Sequence, residues 1–255
     1  MTNKEMLCTA LKQSALELNC TVDDLTGGKS KAVISSTAEG ARKYLSLPFY
    51  CQLVSYGSGI VASVNEEIYA DAKAYIEKYA PEHCFETPNM LVLQSALERR
   101  GMSACFMAEY WLCDTNAIGP IDCGYELRLL TAEDFAPLYT PQWSNALCEK
   151  RKELDVLGIG AYDGEKLVGL AGCSADCESM WQIGVDVLPE YRRRGIASAV
   201  TGRLAAEIMA RGKVPFYCCA WSNVASARNA IRAGFRPAWV ELTAKSAEYT
   251  ADMNK

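Results

Sequence analysis

Residues 185–197 read VDVLPEYRRRGIA and carry the strongest structural signal in the chain. The apolar and β-branched residues up to Leu188 predict a strand that Pro189 closes, and a helix follows from Gly195. The first amide N–H groups of a helix have no internal acceptor, and the helix dipole adds positive potential there. Glycine lets an anion approach the backbone, and three consecutive arginines add donors. The stretch therefore predicts a pyrophosphate-binding turn.

Charge alone leaves a second interpretation open, in which Arg192, Arg193 and Arg194 form an ordinary solvated basic turn. The sequence contains neither a GxxxxGK[ST] nor a GxGxxG pattern, so a P-loop nucleotidase and a dinucleotide oxidoreductase have no support. The net charge is −5, from 26 basic and 31 acidic residues, which disfavours nucleic acid or an anionic membrane as the partner. We therefore expect a local anion site in an acidic protein.

Alternating strand and helix signals surround the turn in the C-terminal half. The dipeptide Asp163-Gly164 joins two apolar runs as a hairpin, and Thr131 is expected to start a helix. The strands are predicted at 125–130, 157–162, 167–172, 180–188, 214–221 and 238–243, and the long helices at 195–210 and 224–233. A meander that continues as strand, helix, strand, helix, strand predicts a mixed sheet with one parallel pair.

The N-terminal half predicts a smaller mixed α/β domain. Its elements are a helix over 3–18, a hairpin over 49–64, helices over 65–79 and 88–100, and a strand over 103–113. Turn residues around 114–120 mark a boundary. We therefore expect one domain over 1–118 and a second over 119–255.

Cysteine and histidine usage points to a reducing cytosol rather than to a metal site. The chain has twelve cysteines and one histidine, His83, and its first residues lack the apolar core of a signal peptide. Cys173 and Cys177 have the wrong spacing for a zinc knuckle, and a Cys–His catalytic pair would need His83, which lies in an expected loop. The cysteines are interpreted as small buried apolar residues, with no metal.

Two motifs resemble the GNAT superfamily of N-acetyltransferases, and the resemblance covers about residues 125–245. Val187-Leu188-Pro189-Glu190-Tyr191-Arg192, continued by Gly195 and Ala197, matches the pattern V-x-P-x-[YF]-[RQ]-x-x-G-x-[GA]. Asn223-x-x-Ser226 followed by Gly234-Phe235 matches the second region of the family that contacts the cofactor. The predicted order of strands and helices is also the order of that family.

The resemblance implies a fold and a cofactor. The fold is a mixed, mostly antiparallel sheet with a splayed parallel pair and flanking helices, and the pantetheine arm of acetyl-CoA lies between the splayed strands. Val185 and Val187 are expected to pair with the arm through their backbones, and Asn223 and Ser226 to contact it from the other side, although Asn223 also fits a helix cap. The pyrophosphate is expected on the turn and the helix start, at Arg192, Arg193, Arg194, Gly195, Ile196, Ala197 and Ser198.

The resemblance implies transfer of an acetyl group to a primary amine of a small molecule or peptide. The backbone N–H near Val187 is the candidate oxyanion donor. The family often has a tyrosine, which protonates the leaving thiolate, where this chain has Ala230, so Tyr217 or a water is left for that role. Asp186 is the candidate catalytic carboxylate, with a structural role as the alternative. A non-catalytic acyl-CoA sensor stays open as the second function.

The role of the N-terminal domain has two interpretations. Its helices and hairpin are compatible with a degenerate second copy of the same fold, or with a cap that shapes the acceptor site. It contains no Arg-x-x-Gly-x-Gly turn. We therefore expect one cofactor site per chain.

Overall fold

A computed structural model describes all 255 residues. The seven α-helices are α1 (Asn3–Leu18), α2 (Val22–Thr26), α3 (Tyr69–Lys78), α4 (Thr87–Glu98), α5 (Ile196–Ala210), α6 (Val224–Arg232) and α7 (Ala247–Asp252). Short 3₁₀ segments lie at Glu66–Ile68, Pro81–His83, Ala132–Asp134, Ala136–Leu138, Pro141–Trp143, Glu149–Leu154 and Pro189–Tyr191. None of the helices combines the length and apolar character needed to cross a bilayer.

Ten strands complete the fold. They are β1 (Lys31–Ile34), β2 (Cys51–Ser55), β3 (Val61–Val64), β4 (Met102–Cys113), β5 (Glu126–Thr131), β6 (Asp155–Asp163), β7 (Lys166–Ser174), β8 (Met180–Val187), β9 (Val214–Ala220) and β10 (Phe235–Ser246). Parallel and antiparallel pairings both occur among them, which confirms the mixed α/β class.

The chain forms two compact units, each built from two separate stretches of sequence. The motif unit consists of Met1–Thr9 and Trp111–Pro237, and the second unit consists of Ala10–Tyr110 and Ala238–Lys255. The structure therefore differs in two ways from the single domain boundary expected near residue 118. The first residues of α1 belong to the motif unit, and the last part of β10 pairs with β2 in the second unit.

The sheet of the motif unit runs in the order β5-β6-β7-β8-β9. Its first four strands are antiparallel neighbours, and β8 pairs with β9 in parallel. Helix α5 packs on this sheet, where a Cβ added at Gly169 would lie 2.4 Å from a side-chain carbon of Ile196. Glycine at 169 thus lets the helix approach the strand closely.

The parallel pair separates along its length, as the family resemblance implied. The register begins at Met180 with Val214 and ends at Ile183 with Tyr217. Both strands continue beyond that point, β8 to Val187 and β9 to Ala220. The last residues of the two strands therefore border an opening rather than a ladder.

The second unit has its own set of strands and its own apolar core. Its strand order is β1-β3-β2-β10, with β1 parallel to β3 and the other pairs antiparallel. Helices α3 and α4 cover an apolar cluster that includes Leu53, Ile76, Leu97 and Leu242. The hairpin predicted over 49–64 is confirmed as β2 and β3.

Two local differences from the sequence predictions have clear causes. Strand β1 was not predicted, because a four-residue strand gives too short a pattern. The helix expected from Thr131 is only a 3₁₀ turn over Ala132–Asp134, although the capping box with Asp134 is formed. Pro137 follows within three residues, and proline cannot donate the backbone hydrogen bond that a longer helix would need.

Candidate functional site

The turn between β8 and α5 presents open backbone amides, as its sequence predicts. Gly195 has a φ of 83°, in the left-handed region that glycine adopts at little cost. Arg193 has a φ of 62°, which is rare for a residue with a side chain. The first helical bond runs from the Ala199 amide to the Gly195 carbonyl at 3.1 Å. The amides of Gly195–Ser198 therefore have no acceptor within the protein, so they are available to an anion.

The three arginines of the turn have different partners. Arg192 donates from Nε to the carbonyl of Val187 at 3.1 Å and so ties the turn to the strand end. Arg194 donates to the Tyr125 hydroxyl at 2.7 Å. The exposed Arg193 side chain has no hydrogen bond or ion pair in the protein. Arg193 is thus the arginine most available to a ligand.

A fourth arginine approaches the turn from α6. A Cβ added at Gly195 would lie 3.7 Å from a guanidinium nitrogen of Arg232. The sequence carries no signal for Arg232, because this residue lies 37 positions from Gly195 and belongs to no motif of the turn. The fold places this cation beside the open amides.

A cavity of about 630 Å³ occupies the opening between β8 and β9. Val185, Val187, Arg192, Ala197, Asn223 and Ser226 from the sequence-predicted site all line it. The further lining residues include Asn145, Gln182, Gly184, Asp186, Tyr217, Cys218 and Asn229. The structure therefore brings most of the predicted residues to one concave site.

The strand edges of this cavity offer backbone groups. The amide of Leu188 donates to the carbonyl of Val168 at 3.0 Å, so this residue faces β7. Backbone groups of successive strand residues point to opposite edges. The N–H and C=O groups of Val185 and Val187 therefore point to the β9 side, where the cavity lies.

The far wall of the cavity combines a helix cap with a hydroxyl pair. The Asn223 side chain accepts from the Ser226 amide at 3.1 Å, so the cap interpretation of Asn223 is confirmed. The Ser226 hydroxyl lies 2.7 Å from that of Tyr217. Burial raises the pKa of Tyr217, and hydrogen bonds with Ser226 and Asn229 partly oppose that effect. Tyr217 is thus protonated at neutral pH.

The remaining predicted helix residues are used structurally through their side chains. Ile196 is 1% exposed and packs in the core. The buried Ser198 hydroxyl donates to Asn229 at 3.0 Å. Their contribution to a ligand would therefore come from their backbone amides.

Asp186 lines the cavity, and its carboxylate is already bonded on both oxygens. One oxygen accepts from the backbone amides of Asn145 and Ala146 at 2.8 and 2.9 Å. The other accepts from the Asn145 side chain at 2.6 Å. The catalytic role of Asp186 stays a prediction, and this bonding gives it a competing role. Asn145 carried no sequence signal, because it lies in an irregular segment 41 positions away.

Two further features concern the chemistry of the site. Ala230, at the position where the family often has a tyrosine, is fully buried. Gln182 donates to the Cys218 sulfur at 3.1 Å on the opposite wall. Nowhere in the structure do three or more His, Cys, Asp or Glu side chains form a group that could hold a metal ion.

The fold and the site together define a protein with a turn of open backbone amides beside an opened parallel strand pair. A model of the GNAT acetyltransferase family matches residues 103–238, which is more than half of the chain. The chain belongs to this family. Family membership supports an acyltransferase.

Solved structures of the same family are similar at low identity. A GNAT-family protein from Novosphingobium aromaticivorans is 23% identical, with a TM-score of 0.45, over 56% of this chain and 66% of that chain. An N-acetyltransferase-like protein from Streptococcus suis is 18% identical, with a TM-score of 0.45, over 63% of this chain and 69% of that chain. A GNAT acetyltransferase from Colwellia psychrerythraea is 16% identical, with a TM-score of 0.46, over 72% of this chain and 76% of that chain. This chain thus spans slightly less than two thirds of the length of the Novosphingobium aromaticivorans protein. No curated protein matches the sequence.

Proposed function

We propose that the protein transfers the acetyl group of acetyl-CoA to a primary amine of a small molecule or peptide by direct transfer. The observation that carries this proposal is the row of open amides at Gly195–Ser198, located beside the cavity between β8 and β9. A diphosphate fits open amides at a helix start, and an extended arm fits an unpaired strand edge.

The residues around the turn suit a diphosphate. The amides of Gly195–Ser198 would hold its oxygens, and the guanidinium groups of Arg193 and Arg232 would balance its charge. A side chain at 195 would intrude on this cradle. Arg192 and Arg194 would act mainly through the shape of the turn, because both are bonded within the protein.

The cavity walls suit the pantetheine arm and the acyl end. Backbone groups of Val185 and Val187 would pair with the arm, and Asn223 and Ser226 would contact it from the opposite wall. Bound acetyl-CoA would supply an activated acyl thioester. The Val187 amide would stabilise negative charge on the acyl oxygen.

Tyr217 is the proposed proton donor for the departing sulfur. Tyr217 lines the cavity, and its hydroxyl keeps its proton at neutral pH and is hydrogen-bonded to the Ser226 hydroxyl at 2.7 Å. The buried Ala230 has no group for this role. General acid catalysis of this kind contributes about 10²- to 10⁴-fold.

One observation favours a second function, a non-catalytic acyl-CoA sensor. The tyrosine often found at position 230 in the family is replaced here by a buried alanine. Loss of that proton donor would slow turnover, which is compatible with a role in binding alone.

Two measurements test these functions. Calorimetric titration with acetyl-CoA should give one site per chain, and a stoichiometry near two would contradict that expectation. A thiol-release assay on a panel of primary amines should then show turnover. Tight binding with no turnover on any amine would favour the sensor, and no binding at all would reject both functions.

A further inference from the structure

The segment around Asn145 lies directly on the sheet at the end of the cavity. Gly172 and Gly184 are cross-strand partners in β7 and β8. A Cβ at Gly184 would lie 1.8 Å from the carbonyl oxygen of Asn145, and one at Gly172 would lie 2.2 Å from that of Ala146. Only glycine leaves room for backbone at these distances. The two glycines thus leave the space that the backbone of residues 145–146 occupies.

Asp186 holds the segment against these two glycines. Its carboxylate takes three N–H donors from Asn145 and Ala146, at 2.6–2.9 Å. Trp143 and Leu147, on either side of the segment, are buried, with 2% and 3% of their surfaces exposed. These donors occupy three of the roughly four acceptor positions of the carboxylate, so little of it is left for the acceptor amine.

The bonding of Asn145 shows which of its side-chain atoms Asp186 uses. A carboxylate only accepts hydrogen bonds, so the atom 2.6 Å from Asp186 must be the Asn145 amide nitrogen. The carbonyl oxygen Oδ1 therefore remains for another partner. Asn145 is exposed and lines the cavity near the strand residues 184–187.

We propose that Asn145 Oδ1 is the contact for the acceptor amine and that Asp186 is a positioning residue that holds Asn145 in place. This inference rests on the proposed function. The titratable groups that line the cavity are Asp186, Arg192, Tyr217, Cys218 and Cys219. Asp186 is bonded as described, and the other four are not carboxylates. The acceptor is accordingly bound as a neutral amine by a neutral oxygen.

The step balances without a protein base. One N–C bond forms and one C–S bond breaks. Tyr217 gives its proton to the sulfur, the nitrogen loses its surplus proton to water, and Tyr217 then regains a proton from water. The acceptor class is therefore set by how much of the amine is neutral at the working pH. A peptide α-amine, with a pKa of about 8, is favoured over a lysine side chain, with a pKa of about 10.4.

Steady-state kinetics with saturating acetyl-CoA separate positioning from base catalysis. Asn145→Ala should raise the acceptor KM roughly three- to tenfold and leave coenzyme A affinity unchanged. Gly184→Ala, which displaces the segment without removing either side chain, should raise the same KM at least as much. Asp186→Asn keeps an oxygen for the backbone amides, so its kcat should change less than about tenfold. A loss of about 100-fold or more in kcat for every acceptor would overturn the proposal.

The pH dependence of kcat/KM distinguishes a positioning role of Asp186 from a role as the base. With peptides that offer either an α-amine or a lysine amine, the inflection of kcat/KM should follow the pKa of the amine. It should stay in place in Asp186→Asn. An inflection shared by both peptides and absent from Asp186→Asn would assign the base role to Asp186 instead.

Amide hydrogen exchange tests the positioning role without turnover. In Asp186→Ala the amides of Asn145 and Ala146 should exchange faster. The amide of Cys148, which donates to Asp155 at 2.8 Å in the same segment, should not change. Unchanged exchange at 145 and 146 would overturn the proposal. If no amine in the panel is acetylated, the proposed function fails, whereas the exchange result still decides whether Asp186 holds the segment.

Discussion

Arg42 in the second unit and Arg193 in the motif unit carry the same side chain in opposite surroundings. Arg42 is 4% exposed and is paired with Glu17 at 2.6 Å and with Glu241 at 3.0 Å. Arg193 is exposed, without an ionic partner, on a backbone with a φ of 62°. A fully bonded buried charge specifies a fold, whereas an exposed charge on a strained turn is available to a ligand.

We expect the largest effect from a substitution of Arg42, the buried arginine of this comparison. Arg42→Met would leave Glu17 and Glu241 as two buried carboxylates without a cation, at 1% and 4% exposure. Loss of one partner of a buried ion pair costs about 3–5 kcal/mol. Denaturant unfolding should show this loss in the free energy of unfolding.

Arg193→Met is the matched control for that measurement. Its free energy of unfolding should stay within about 0.5 kcal/mol of the wild type, because the side chain has no partner to lose. A loss for Arg42→Met as small as that of the control would show that the buried cluster does not stabilise the second unit.

The next effect concerns the ligand side. Gly195→Glu should lower coenzyme A affinity about 100-fold, because the side chain would fill the amide cradle and oppose the diphosphate charge. Calorimetry measures the affinity directly. Gly212→Glu is the control for backbone strain, since Gly212 also has a positive φ, of 72°, and a Cβ there would meet no atom within 4 Å. Equal affinity losses in both variants would remove the turn from the site.

A pH effect is expected at Asp155, which anchors the amide of Cys148. Burial raises the pKa of Asp155 from 3.8 to about 6, so the folded protein binds this proton more tightly than the unfolded chain. The contribution of Asp155 to stability is therefore full below pH 4 and is lost as the pH rises through about 6.

Comparison with Asp155→Asn isolates this contribution. The difference in unfolding free energy, wild type minus variant, should be larger at pH 4 than at pH 7, by roughly 1–2 kcal/mol. Asp163→Asn, at the exposed end of the same strand, provides the control. A difference that does not vary with pH would contradict the raised pKa.

The smallest effect separates the two roles of Asn223. Asn223→Ala removes the cap of α6 and should cost about 1 kcal/mol in the free energy of unfolding. If Asn223 also contacts the ligand, coenzyme A affinity should fall as well. Ser246→Ala, which removes the cap of α7, should cost stability alone. Unchanged affinity for Asn223→Ala would leave the residue with its structural role only.

The site was predictable wherever its residues are close together in sequence. The turn at 192–195, the strand before it and the helix after it follow from local rules on glycine, proline and apolar spacing. The cap at Asn223 also follows from such a rule. These features depend on backbone geometry within a few residues, so the sequence alone determines them.

The rest of the site depends on contacts between distant residues. Arg232 reaches Gly195, and Asn145 reaches Asp186, only because helices and segments pack on one sheet. The role of Asp186 was left open for the same reason, since its partners lie in a segment without periodicity. The division of the chain was predicted wrongly because the pairing of β10 with β2 joins residues 185 or more positions apart.

That pairing has a consequence for biosynthesis. Strand β2 pairs with β3 early but gains its second neighbour, β10, only after residues 240–243 have been made. Although most of the second unit is translated first, its sheet is therefore completed after the entire motif segment has been synthesised. A nascent chain halted near residue 230 would hold the turn and most of the cavity lining, yet would expose an unsealed strand edge to aggregation.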